Sequence, residues 1–115
     1  MKKFRDLEQR TLEFTREVIK LCQKLPKNSI NNELVRQCVR SAGSVGANYR
    51  EANEKLSKKD LAYKIKIARK ESKETSYWLE LLEESNKDYS EAIQNLFQES
   101  IELRNIFSAI LNKVS

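Results

Sequence analysis

The strongest constraint on the fold is the spacing of apolar residues, which recur at alternating steps of four and three along four segments. Such spacing places one continuous stripe on one face of an α-helix. The second stripe begins at Ile30 and reaches Leu56. The third segment shows the most regular stripe, formed by Leu61, Ile65, Ala68, Ser72, Thr75, Leu79 and Leu82. The pattern therefore predicts four amphipathic helices rather than strands.

Short breaks separate the four segments. Pro26 ends the first helix, Asn28 or Ser29 is a plausible N-cap of the second, and Ser57 begins a capping box for the third. The predicted helices cover about residues 4–25, 30–56, 58–85 and 89–114. Because the links are short, consecutive helices must run antiparallel. We predict an all-α protein, an antiparallel up-and-down four-helix bundle that forms a single domain over residues 1–115.

The middle of the second helix contains Gly43 and Gly46, although the chain has only two glycines in total. Each glycine inside a helix costs about 1 kcal/mol relative to alanine. We interpret both as points of close helix–helix contact through small side chains. A kink or a phosphate-binding turn is the alternative, but the Gly-x-x-x-x-Gly-Lys pattern of a phosphate loop is absent.

Residue types that carry most enzyme chemistry are scarce. The chain has no histidine, the commonest general base. Its two cysteines, Cys22 and Cys38, lie on apolar helix faces, and we interpret them as buried free thiols rather than a disulfide. Glutamate pairs are better explained by solvated faces than by a di-iron site. We therefore expect no enzymatic activity, no metal and no cofactor.

The N-terminal residues and the hydropathy of the chain indicate where in the cell the protein is located. The basic N-terminal residues are not followed by the apolar region of a signal peptide. No apolar run approaches the roughly 18 residues needed to span a bilayer. We therefore expect a cytoplasmic protein without a membrane partner.

Charge is distributed unevenly along the chain. Residues 31–75 hold eleven basic and six acidic residues, whereas residues 76–115 hold three basic and seven acidic ones. On the third helix, lysines recur within a band of about 60° opposite the core stripe, taking 100° per residue. This lysine band comprises Lys55, Lys59, Lys66, Lys70 and Lys73. Arg36, Arg40 and Arg50 of the second helix extend it. The band is either a nucleic-acid surface or an ordinary solvated face.

A second set of apolar residues lies between the lysine band and the core stripe. It comprises Tyr63, Ile67, Tyr77, Trp78 and Leu81 on the third helix and Phe97 and Ile101 on the fourth. Surplus apolar surface favours a partner, and tryptophan and tyrosine are enriched at interfaces. A wide core face is the alternative. We interpret this apolar seam as a self-association surface.

Two motifs resemble those of a known family. The first is the stretch Arg40-Ser-Ala-Gly-Ser-Val-Gly-Ala-Asn-Tyr-Arg-Glu-Ala52, and the second runs from Ser57 through Ile67-Ala-Arg-Lys-Glu71 to Leu82. Both resemble the four-helix bundle proteins encoded within 23S rRNA intervening sequences, whose superfamily includes the accessory variability protein of diversity-generating retroelements. The resemblance implies an antiparallel bundle that assembles into a homopentamer with a basic surface. It brings no catalytic residues.

Two functions follow as expectations. The first is a homo-oligomeric accessory protein that binds RNA or DNA electrostatically through the basic surface. The second is a protein–protein scaffold or adaptor whose basic face binds an acidic partner, such as a reverse transcriptase or a neighbouring subunit. In the second case the acidic fourth helix is a candidate for pairing with the basic face of that subunit.

Overall fold

The computed structural model describes the backbone of residues 2–54 and 57–114 and the side chains from residue 7 onward within those ranges. Four long helices account for most of them. They are α1 (Lys2–Lys24), α2 (Ser29–Ala52), α3 (Lys58–Ser85) and α4 (Ser90–Val114). A short 3-10 turn, Lys87–Tyr89, joins α3 to α4. The predicted fold is confirmed.

Most helix bounds lie within two residues of the predicted ones, but the end of α2 does not. Helix α2 ends at Ala52 rather than at residue 56, because the backbone turns at Asn53, and Leu56 lies outside the described residues. Tyr89 belongs to the 3-10 turn rather than to α4. Two predicted N-caps are confirmed. The backbone N–H of Asn31 donates to Asn28 Oδ1 at 2.8 Å, and that of Asp60 donates to Ser57 Oγ at 3.1 Å.

Neighbouring helices run antiparallel. Early residues of one helix contact late residues of the next, as in the hydrogen bond from Asn53 Nδ2, at the end of α2, to Glu8 Oε2 of α1, 2.8 Å long. Helix α3 packs extensively on both α2 and α4, whereas α1 makes fewer contacts with α2 and fewest with α4. The bundle measures 44 × 23 × 19 Å. One face of α3 is exposed on the outside of the bundle, and this face carries the lysine band.

The core follows the predicted stripes, with one exception at the start of α2. Residues such as Val18, Val45, Leu79 and Phe107 are fully buried. Ile30, which the stripe placed in the core, is 64% exposed. The reason is that Asn31, next along the chain, turns inward instead and makes the hydrogen bonds of the helix link. Cys22 and Cys38 are buried free thiols, as predicted.

The α2–α3 and α3–α4 contacts include small hydroxyl side chains. Ser41 Oγ lies 2.7 Å from Thr75 Oγ1 between α2 and α3, and Ser76 Oγ lies 2.6 Å from Ser100 Oγ between α3 and α4. Each hydroxyl also lies within hydrogen-bond distance of a backbone carbonyl of its own helix, so that in each pair one hydroxyl can donate to its carbonyl while the other donates across the pair. Their polar groups are therefore satisfied although they are buried, and small side chains allow the helices to approach closely.

The two glycines of α2 differ in their surroundings. A Cβ added to Gly46 would lie 3.2 Å from Thr11 Oγ1 of α1, so this glycine does serve a close helix contact. A Cβ added to Gly43 would meet no neighbouring side chain or adjacent helix of the described residues within 4 Å. The predicted close contact is therefore wrong for Gly43 within the single chain.

Candidate nucleic-acid interface

The lysine band forms one exposed face of α3. Lys59, Lys66, Lys70 and Lys73 are all exposed, and Lys55 lies outside the described residues. Within the described part of the chain, Lys59, Lys66 and Lys73 make no ion pair, and the ammonium of Lys70 lies 3.9 Å from the Glu71 carboxylate. At 1.5 Å per residue the band from Lys59 to Lys73 is about 21 Å long. It carries largely uncompensated positive charge.

The three arginines of α2 do not extend this unpaired charge. Arg36 forms an ion pair with Glu33 one turn away. Arg40 Nη2 lies 3.1 Å from Glu74 and 3.6 Å from Glu71. Arg50 Nε lies 3.8 Å from Glu8 of α1.

All three side chains are more than half exposed, so each ion pair is weak and open to competition from a polyanion. In the isolated chain, however, the arginine charges are compensated and the lysine charges are not.

Two basic residues that were not predicted flank the lysine band on the α4 side. Arg69 is half-buried, and its Nη1 donates to Ser108 Oγ of α4 at 3.5 Å. Arg104 lies one helical turn before Ser108 and is also half-buried. Neither makes an ion pair within the described residues. The sequence could have indicated Arg69 as a neighbour of the lysine band, because it lies three residues after Lys66. It could not have indicated Arg104, because the position of Arg104 beside the band depends on how α4 packs against α3.

The basic face of α3 ends in acidic residues. Beyond Lys73 the same helix carries Glu80 and Glu84, both exposed. The negative charge of residues 76–115 thus lies mainly in the second half of α3 and the following turn. Glu99 and Glu102 of α4 both bind Arg10 of α1 within the chain, so part of the negative charge of α4 is already compensated, and the pairing of α4 with a neighbouring subunit stays a prediction.

The apolar seam is divided over both flanks of α3. On the α2 side, Ile67 and Trp78 are half-buried. On the α4 side, Phe97 lines a groove with Glu80 and Glu83. Trp78 and Phe97 pack against the core of their own chain, while Leu81 and Ile101 are half-buried.

The two tyrosines of the seam stand apart from the rest. Tyr63 is 61% exposed and Tyr77 is 55% exposed. By helical position they belong to the lysine band, since Tyr77 lies four residues after Lys73 and Tyr63 three before Lys66. The Tyr77 ring meets that of Trp78 edge-on, with ring centroids 5.1 Å apart and an angle of 69°. This ring contact supports the position of the Tyr77 side chain beside the lysines of the band.

One buried carboxylate borders the lysine band on its α2 side. The Glu71 side chain is 8% exposed, and its Oε1 accepts no hydrogen bond within the described residues. Burial, together with the nearby Glu74 carboxylate, raises the pKa of Glu71, and Arg40 and Lys70 oppose this rise. Glu71 therefore offsets the positive charge of Lys70 only in the fraction of molecules in which the Glu71 carboxyl group is ionised.

Several grooves lie between helices on the described surface. One groove, between α1 and α2, has a volume of about 550 Å³, and its lining includes Leu12, Gly43, Arg50, Glu51 and Glu54. Within the described ranges, no group of three or more histidine, cysteine, aspartate or glutamate residues is placed to hold a metal ion. No helix in those ranges is both long and apolar enough to cross a membrane.

Comparisons with known proteins agree with the fold. The family model for the 23S rRNA-intervening sequence protein matches residues 5–109. A crystal structure from Bacteroides thetaiotaomicron, described as a protein with unknown function from the S23 ribosomal protein family, is 32% identical. The match covers 90% of this chain and 96% of that chain, with a TM-score of 0.78. No match was found among curated proteins.

Proposed function

Because the chain belongs to the family of 23S rRNA-intervening sequence proteins, we propose that it is a non-enzymatic, homo-oligomeric accessory protein that binds RNA or DNA electrostatically. The binding surface is the lysine band of α3, flanked by Arg69 and Arg104. Neither the family description nor that of the Bacteroides structure names an enzymatic activity.

The observation that carries this proposal is the absence of local charge partners for Lys59, Lys66 and Lys73 within the described residues. Nine of the fifteen other cations with described side chains form ion pairs, namely Arg10, Arg16, Lys20, Arg36, Arg40, Arg50, Lys64, Lys70 and Lys87. The lysine band is where three cations without an ion pair in the described part of the chain share one helix face. A lysine without a carboxylate partner contributes its full charge to a polyanion. Each phosphate it neutralises releases a condensed counterion, so the binding constant falls steeply with salt.

The test is fluorescence anisotropy with labelled RNA and DNA over a salt series. We expect Lys59→Glu, Lys66→Glu and Lys73→Glu, combined, to abolish binding at low salt. The matched control is Lys20→Glu, Lys24→Glu and Lys27→Glu on α1 and the following link, which changes the net charge equally. No binding by the wild type at micromolar protein and low salt, or equal losses in both variants, contradicts the proposal.

A milder change measures the contribution of each lysine. Replacing the same three lysines by glutamine should lower the slope of log K against log salt by about 0.7 to 0.9 per lysine. An unchanged slope would mean that phosphates do not contact these residues.

Self-association is part of the proposal. The resemblance implies a homopentamer, and the half-buried Ile67, Leu81 and Ile101 of the apolar seam supply surface for it. Multi-angle light scattering at low and high salt tests this part. A monomer at micromolar concentration under both conditions contradicts it, while an assembly that survives high salt indicates an apolar rather than a charged contact.

The alternative is an adaptor whose basic face binds an acidic protein, such as a reverse transcriptase or a neighbouring subunit. The observation that favours it is the charge polarity of α3, which is basic from Lys58 to Lys73 and acidic from Glu74 to Glu84. Two such helices in head-to-tail order would be complementary. An assembly that dissociates at high salt, and that binds no nucleic acid at the low salt where it is intact, would favour this alternative.

A further inference from the structure

An aromatic ring lies on each side of the segment of the lysine band from Lys66 to Lys73. Tyr63 precedes Lys66 by three residues, and Tyr77 follows Lys73 by four, so Lys66, Lys70 and Lys73 lie between the two rings on one helix face. The two tyrosines are among the four large apolar or aromatic side chains that are clearly exposed within the described residues. Two exposed rings with three cations between them on one helix face fit a ligand that has both flat bases and regularly spaced negative charges.

We propose that this face binds single-stranded nucleic acid, with bases stacked on the Tyr63 and Tyr77 rings and phosphates on the three lysines between them. This inference rests on the proposed function and specifies its ligand. Stacking needs bases that are free of a complementary strand, and every base has a face suited to it, so sequence preference is weak.

The packing of α3 disfavours a duplex as the ligand. An α-helix can read a duplex by entering its major groove, which is about 12 Å wide. Helix α3, however, is covered along both flanks by α2 and α4, as the contacts Arg40–Glu74 and Arg69–Ser108 show. Only its outer face is accessible, and a face of a bundle about 20 Å across does not enter the groove. A duplex would meet the lysines but would offer no base to the tyrosines.

Charge disfavours a second copy of the chain as the ligand of this particular face. Burying the tyrosines in a subunit contact would also bury Lys66, Lys70 and Lys73. The ammonium groups of Lys66 and Lys73, which form no ion pair among the described residues, and that of Lys70, which has only a 3.9 Å contact with Glu71, would then lose hydration with little compensation unless the partner supplied carboxylates at the same spacing. A phosphate backbone supplies regularly spaced anions and leaves the lysines partly hydrated.

The spacing sets the expected length of the ligand. Tyr63 and Tyr77 are fourteen residues apart, which corresponds to about 21 Å along the helix axis. At a stacked rise of about 3.4 Å per nucleotide, this distance spans on the order of six nucleotides. Affinity should therefore rise sharply between strands of about four and about eight nucleotides, once both rings are occupied.

The experiment compares a labelled twelve-nucleotide RNA with the duplex of the same sequence, by anisotropy at fixed salt. We expect Tyr63→Ala and Tyr77→Ala each to weaken single-strand binding by roughly five- to tenfold or more and to leave duplex binding unchanged. Tyr63→Phe and Tyr77→Phe should retain the wild-type affinity, since the ring stacks and the hydroxyl does not. Ile30→Ala, which removes another exposed apolar side chain at the start of α2, should have no effect.

The outcomes separate the inference from the proposed function. Equal binding of strand and duplex, with no effect of the tyrosine changes, overturns the inference and leaves electrostatic binding intact. Alanine variants that lose their oligomeric state and both ligands together also overturn it, because the tyrosines would then be subunit contacts. Polyglutamate that displaces the RNA equally well from wild type and tyrosine variants identifies an acidic protein surface instead. No binding of either nucleic acid removes both proposals.

Discussion

The side-chain amides of Asn31 and Asn86 exchange two hydrogen bonds, 2.9 and 3.0 Å long, between the start of α2 and the end of α3. Both residues are buried. Asn31 also donates to the carbonyl of Pro26, and Asn86 to that of Leu82. The pair therefore fastens two helix connections at one end of the bundle to each other.

Replacing either member of this pair alone should lower the free energy of unfolding by more than half of the loss that follows from replacing both. Asn86→Ala leaves the buried amide of Asn31 without its partner, which costs about 1–3 kcal/mol. Asn31→Ala has the same effect on Asn86, and the double variant should cost less than the sum of the two. Urea denaturation measures this, with the exposed Asn105→Ala as control at within about 0.5 kcal/mol of wild type. Strictly additive losses would mean that the two amides act independently.

The Arg10–Glu99 pair should be worth more than an ordinary surface ion pair. Arg10 donates from Nε and Nη2 to both Glu99 oxygens, at 2.7 and 2.8 Å, across the contact between α1 and α4. This geometry raises the pKa of Arg10, chiefly through the hydrogen bonds to Glu99. Since both side chains are partly exposed, we expect a coupling of only about 1 kcal/mol.

A double-mutant cycle of Arg10→Ala and Glu99→Ala measures that coupling. The matched control is the exposed Arg16–Glu13 pair within α1, 3.2 Å apart, for which we expect about 0.3 kcal/mol. The first coupling should shrink in 1 M salt. Equal couplings in the two cycles would show that Arg10 does not close the α1–α4 contact.

The two glycines of α2 should respond differently to alanine. Gly43→Ala should stabilise the fold by about 1 kcal/mol, because alanine is the better helix former and its Cβ would meet no neighbouring helix of the described residues within 4 Å. Gly46→Ala should gain less or lose stability, because its Cβ would lie 3.2 Å from Thr11 Oγ1. Thermal and urea unfolding of the two variants test the difference. Equal gains would show that Thr11 yields without cost.

Stability should depend on pH through Glu71. Its pKa is raised in the folded chain, mainly by burial and secondarily by Glu74. The folded state therefore binds the proton more tightly than the unfolded state. The resulting contribution to the free energy of unfolding is fully present below the ordinary pKa of a glutamate and is lost as the pH rises through the raised value.

Glu71→Gln should remove this dependence. Urea denaturation from pH 4 to pH 7 should show a shallower decline for the variant than for the wild type, and the exposed Glu80→Gln should keep the wild-type profile. Identical profiles for wild type and Glu71→Gln would mean that Arg40 and Lys70 compensate the buried charge fully.

Local patterns in the sequence account for the bundle because helix periodicity and capping depend on neighbours a few residues away. Asn28 and Ser57 cap their helices as their positions indicate, and the four-three spacing places Val18, Ile65 and Phe107 in the core. The end of α2 at Ala52 was missed, since the turn at Asn53 interrupts a spacing that continues to Leu56 in the sequence. The same spacing placed Ile30 inward, where Asn31 is buried instead.

The charge pattern of the sequence determined that α3 carries a lysine band, because residues three and four apart share a helix face whatever the tertiary structure. Only the packing of the bundle decided which charges are compensated. Arg10 meets Glu99 from 89 residues away, and Arg40 meets Glu74 across the α2–α3 contact. The packing of the bundle also decided that Trp78 and Phe97 pack against the core, while Tyr63 and Tyr77 are exposed beside the lysines. Such pairings depend on the distance between helices, which no local spacing in the chain specifies.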